Sequence, residues 1–142
     1  MKNFVCSLLF LLIGWGTFAQ SSDQQALAQQ STEQLTKLYG LDAQQQSKMQ
    51  VIQERKYRNL AEIGPIKNTD PQLYIKKVEA LRLANEKSIE RILNEDQRTL
   101  LRQQKAAARN EKALVYKEMK QAGASQMEID QKLMELDIKA LQ

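Results

Sequence analysis

Histidine is absent from the 142-residue chain, cysteine occurs once and proline only twice. Without histidine there is no imidazole base, no Ser-His triad and no His metal ligand. Five glycines and two prolines are too few turn-makers for a sheet protein with many tight turns, and aromatic residues are held to 6%. No Gly-rich loop is present to cradle phosphate, and no carboxylate pair stands apart as a hydrolytic site. Glu54, Glu62, Glu79, Glu86, Glu90 and Glu111 alternate with bases instead, as on solvated helix faces. What is abundant is glutamine, 19 residues, and charge of both signs with a mild surplus of +4. This inventory describes a small helical protein that binds rather than transforms. Neither an enzyme activity nor a cofactor is expected from it.

Met1 to Ala19 reads as a secretory signal peptide. Lys2 supplies the positive start, Phe4 to Ile13 a short apolar core, and Thr17 and Ala19 the small residues before a cut at Gln20. The apolar run breaks at Gly14, well short of the ~20 residues that a spanning helix needs. Cleavage therefore leaves no integral membrane span. Cys6 lies inside the apolar core and not at the cut, which argues against lipidation, and residues 20–142 contain no cysteine. The exported chain then has no disulfide and no thiolate for metal or nucleophilic work. Lys2 is the one charge lost, so the surplus stays positive. In an exported protein it points toward acidic protein surfaces and away from nucleic acid.

Periodicity predicts an all-α chain of four to five helices. Gln20 to Ser31 is polar and Gln-rich, a frayed start or a weak first helix that Asp23 could cap, with Leu27, Leu35 and Leu38 as a narrow apolar side. Gly40 sits where a helix ends. A second helix over about Asp42 to Ile63 carries Leu41, Gln45, Met49, Ile52, Lys56, Leu60 and Ile63 on one face. Gly64-Pro65 stops it, and Asp70-Pro71 opens a third helix with Tyr74, Val78, Leu81, Asn85, Ile89 and Ile92 on its stripe. A fourth helix runs from Asn94 toward Ala122, with Gln97, Leu101, Gln104, Ala108, Val115 and Met119 inward, and Gly123 ends it. Ser125 and Glu128 form a capping box for a last helix. Four amides, Gln45, Asn85, Gln97 and Gln104, fall where a closed bundle wants Leu, and each needs a partner when buried or costs ~1–3 kcal/mol. An open, cradle-like helical layer completed by dimerisation fits this better than a closed monomer.

One internal echo is informative. Leu41-Asp42-Ala43-Gln44-Gln45 and Leu93-Asn94-Glu95-Asp96-Gln97 share the form Leu, capping residue, two variable residues, Gln, and each opens a long amphipathic helix. Over about Leu35 to Gln104 the chain resembles the LTxxQ-motif family of small periplasmic proteins, the Spy and CpxP group. The family's Thr is replaced by Asp42 and Asn94, both good N-caps. The resemblance implies an ATP-independent periplasmic chaperone, an antiparallel helical dimer holding unfolded or misfolded proteins on its concave side. Some members of the family instead inhibit envelope stress signalling or bind metals. The metal branch is disfavoured, because residues 20–142 hold neither His nor Cys.

The motif residues Leu41, Asp42, Gln45, Leu93, Asn94 and Gln97 are expected to be structural, as helix starts. Apolar residues off the inner stripes, interleaved with cations, are the client-binding candidates: Val51 and Tyr57 near Arg55 and Arg58, and Leu73, Ile75 and Leu83 among Lys76, Lys77 and Arg82. The competing readings are dimer contact and scattered surface hydrophobes, which are common on folded proteins. The last helix has two apolar sides. Ile129, Leu133, Leu136 and Ala140 form one, while Met127, Met134, Ile138 and Leu141 form the other, which could pack on a second subunit or adapt to clients. Two other functions compete with the chaperone: a regulator that binds one envelope sensor domain, and a trimeric helical holdase resembling the Skp group. Gly64-Pro65 and Pro71 interrupt the long tentacle helices that the Skp group would need.

Overall fold

The computed structural model describes residues 16–141, with side-chain environments for residues 22–139. The expected leader, with Cys6, lies outside the described residues as far as residue 15. Six α-helices follow in chain order: α1 Gly16–Tyr39, α2 Ala43–Ile63, the single turn α3 Ile66–Thr69, α4 Pro71–Ile92, α5 Glu95–Gln121 and α6 Gln126–Leu141. No strand occurs among the described residues, so the fold is all-α. No helix among them is long and apolar enough to cross a membrane.

The helix ends are set by local chemistry. Asp42, Asn94 and Ser125 each exchange hydrogen bonds with the residue three positions on, Gln45, Gln97 and Glu128, satisfying amide groups that a helix start leaves open. Asp70 accepts from the Leu73 amide, with Pro71 at the first helical position. Gly40 (φ 61°) and Gly123 (φ 78°) take the left-handed conformation that glycine adopts without strain. At each, the next residue's N–H returns to a carbonyl of the last turn, Leu41 to Thr36 and Ala124 to Met119.

In space the helices run α1, α2, α4, α6, with α5 against α6. Two apolar clusters occupy opposite ends of the antiparallel pair α2 and α4. The first joins Tyr39, Leu41, Met49, Ile52, Ile89, Leu93 and Leu101. The second joins Tyr74, Val78 and Met134, with Leu60, Ile63, Ile66, Ile75 and Ile138 packed against it. Beyond its first two turns α5 contributes no buried residue: everything from Arg102 to Gln121 is half-buried or exposed. The layer is open on that side.

Three expectations change here. Asp23 is not a cap, because α1 is already helical from Gly16. Its buried positions are Ala28, Ser31, Thr32 and Tyr39, while Leu27 and Leu38 are exposed and Leu35 is half-buried. Small residues face α2 because its Gln53 and Lys56 occupy the space between. On α5 the inward run stops at Gln104, since Ala108 is exposed and Val115 and Met119 are only half-buried.

The two echoed segments meet. Gln45 Nε2 donates to Gln97 Oε1 at 2.7 Å, and Gln97 Nε2 donates back to Gln45 Oε1 at 3.1 Å. Each Oε1 also accepts its own cap's backbone N–H, from Asp42 at 3.1 Å and Asn94 at 2.9 Å. The remaining amide hydrogens reach the carbonyls two residues before the opposite cap, Ile92 at 2.8 Å and Gly40 at 3.4 Å. Both side-chain amides are thus fully satisfied. Removing one leaves its partner short of two bonds in a half-buried place. Gln97→Ala is expected to lose about 2 kcal/mol in urea unfolding. The Gln45→Ala/Gln97→Ala double variant should lose clearly less than the sum of the two singles.

Candidate functional site

Between the two apolar clusters the centre of α2 and α4 is polar. On one side, facing α1, the Lys56 ammonium donates to Ser31 Oγ at 3.1 Å, and Ser31 Oγ donates to Gln53 Oε1 at 3.1 Å. Gln53 Nε2 turns to the Met49 sulfur, and Lys56 Nζ stands 4.1 Å from the Tyr57 ring centroid. Lys56 is only 3% exposed. Burial pulls its pKa down from 10.5 to about 8, because an ammonium loses hydration there.

Toward α4 the same helices enclose a cleft of about 350 Å³. Arg55, Lys56 and Asn59 line it from α2, and Leu81, Asn85, Lys87, Ser88 and Arg91 from α4. Arg55 spans it, its Nη2 donating to Ser88 Oγ at 2.8 Å. The lining holds four cations and no carboxylate.

A second cleft, about 500 Å³, lies between α4, α5 and α6. Its lining mixes both signs, five cations with three carboxylates. The Asp137 carboxylate, 6% exposed, sits 2.6 Å from Arg82 Nε and 2.5 Å from Lys112 Nζ. Arg82 also pairs with Glu86, which Lys105 approaches at 3.3 Å. The chain Lys105, Glu86, Arg82, Asp137, Lys112 ties α6 to both α4 and α5. Near this network the Tyr39 hydroxyl donates to Gln104 at 2.5 Å; burial first, and the Glu86 charge second, push its pKa up and keep it a donor.

The expected site residues are therefore divided. Val51 (63% exposed) and Leu83 (50%) are open to solvent, as is Leu73, and Arg55, Arg58, Lys76 and Lys77 are exposed beside them. Tyr57 is not: it is buried, so it cannot meet a client without unfolding part of α2. Ile75 packs against the second apolar cluster, and Arg82 is committed to Glu86 and Asp137. On α6, Met127 is exposed, but Met134 is buried against this chain's own Tyr74 and Val78, and Ile138 joins them. Those two residues belong to the core, not to a face left for a second subunit. The Leu141 side chain lies outside the described residues. The motif residues behave as helix starts, as expected.

Sequence reasoning missed Lys87 and Arg91 in the first cleft and Asp137 in the second. Asp137 had a usable signal, since it lies between the two apolar sides of α6 where a solvated acid would not fall. The cleft cations had none, because the approach of α2 to α4 that groups them is a tertiary fact. Compared with protein-family models, with curated proteins and with solved structures, the chain matches none.

Because the folded chain holds the Lys56 proton less tightly than the unfolded chain, its burial penalty is constant below about pH 8. The penalty is relieved as pH rises toward 10.5, so stability increases with pH across that window. Lys56→Met, similar in length and apolar, is expected to be the more stable protein at pH 7. Wild type should then gain on it between about pH 8 and 10.5 in urea unfolding followed by circular dichroism. Parallel curves would place the ammonium in water.

Proposed function

We propose that the exported chain is an ATP-independent periplasmic chaperone of the Spy and CpxP type, acting on unfolded or misfolded envelope proteins. The observation that carries this reading is the exposed surface of α2 and α4. Val51, Arg55 and Arg58 follow one another at helical spacings of 4 and 3, and Lys76, Leu83 and Lys87 at 7 and 4, all exposed. Apolar groups separated by long cationic side chains accept varied sequences, since the stems add apolar contact while the charges stay wet. Such a surface captures by charge and holds by weak apolar burial. The pairing of the two motif segments through Gln45 and Gln97 is consistent with a structural role for the motif in this family. A homodimer that completes the open layer belongs to the same proposal.

The test is light scattering from two unrelated aggregating proteins, without ATP, at chaperone-to-client ratios near one. Both should be protected, with a capture rate that falls as ionic strength rises. Val51→Asp/Leu83→Asp should fold normally, both positions being exposed, and lose most of the protection. A folded protein that protects neither client gives way to a regulator with a single sensor-domain partner. Native mass gives the subunit number.

A further inference from the structure

We infer that the cleft between α2 and α4 binds a small multivalent oxyanion of the phosphate or diphosphate class. Arg55, Lys87 and Arg91 line it and make no ion pair among the described residues. The neighbouring cleft differs in having acids in its lining: Arg82, Lys105 and Lys112 there each have a carboxylate, although Arg109 and Lys139 beside them have none among the described residues. Glu54 and Glu90, on the same two helices, do not line the cation cleft. Three like charges held on two packed helices repel one another, and a bound anion would relieve that repulsion and bridge the helices.

Neutral donors are in place as well. Asn59 and Asn85 are half-buried at the cleft and carry amide N–H groups, and Arg55 spends one of its guanidinium hydrogens on Ser88. An arginine fork takes two oxygens of a phosphate at once. The Lys56 stem, Leu81 and Ala84 provide a partly apolar wall, and Lys56 adds positive potential from behind. A volume of about 350 Å³ suits a diphosphate with its waters and is small for a folded segment of a client. The helices that frame the site are fixed by apolar clusters at both ends, so the backbone frame of the cleft is in place before a ligand arrives. The site shares Arg55 and Lys87 with the proposed client surface but does not rest on that reading, and its test involves no client.

Purified protein would be titrated with pyrophosphate by calorimetry at constant ionic strength, with sulfate and chloride as comparators. One saturable site is expected, weaker for sulfate and undetectable for chloride, together with a rise in melting temperature. Arg55→Gln, Lys87→Gln and Arg91→Gln, all at exposed positions, should each weaken pyrophosphate binding about tenfold. Lys117→Gln, on the exposed part of α5, should leave it unchanged. Independently of any variant, the side-chain amide resonances of Asn59 and Asn85 should shift during the titration. The inference is overturned by heats that do not saturate, by equal weakening from Lys117→Gln, or by shifts confined to α5 and α6.

Discussion

Two glutamine side chains hold the architecture in register. Gln45 and Gln97 each cap their own helix and cross-link to the other segment, so the start of α2 cannot move relative to the start of α5 without breaking the two bonds between the amides and the two to the Ile92 and Gly40 carbonyls. The pairing also fixes what precedes each cap. Leu41 and Leu93 are driven side by side into the first apolar cluster, and the carbonyls of Gly40 and Ile92 serve the opposite helix. A methylene-rich pair would fill the same space, but it would not choose one relative position of the helices. Directional amides do, at little cost once all their hydrogen bonds are met.

Electrostatics divides α4 lengthwise. On one side Arg82 and Glu86 enter an ion-pair network that reaches α5 and α6, with the Asp137 carboxylate buried between two cations. Such a pair contributes positioning more than net stability, because its desolvation offsets much of the attraction. On the other side Lys87 and Arg91 face α2 with no carboxylate in the lining. The mild surplus of positive charge in the composition is therefore not spread evenly. The α2–α4 cleft holds four cations and no acid, while the α4–α5–α6 cleft sets five cations against three acids.

Helix boundaries were legible because they depend on neighbours in sequence. Asp42 with Gln45, Asn94 with Gln97, Ser125 with Glu128, and Gly40 and Gly123 act within one turn, and each stands where its spacing put it. The inner stripes of α2 and α4 were legible for the same reason. What failed needed tertiary knowledge. Tyr57 is buried because α2 is covered on two sides, by α1 and by α4, which widens its inner face beyond one stripe. Met134 and Ile138 read from sequence as a face for a second subunit or for clients, yet α6 has neighbours in α4 and α5, and both residues pack in this chain's own second cluster. α1 misled most: its buried face is small and polar, so hydropathy gave no signal for Ala28, Ser31 and Thr32. The motif amides were expected as caps, but nothing local to either pentapeptide says that the two touch.

The separation of the two apolar clusters has a thermodynamic consequence. Met49 and Ile89 belong to one end of the molecule, Val78 and Met134 to the other, and the stretch between them is held by hydroxyl, amide and ammonium groups. Cooperativity passes between the ends mainly along the backbones of α2 and α4. The two ends can then open as distinct units, the end near α3 together with α6, and the motif end together with α1. Damage to one cluster is then felt most by its own end of the molecule, where hydrogen exchange would report the loss first.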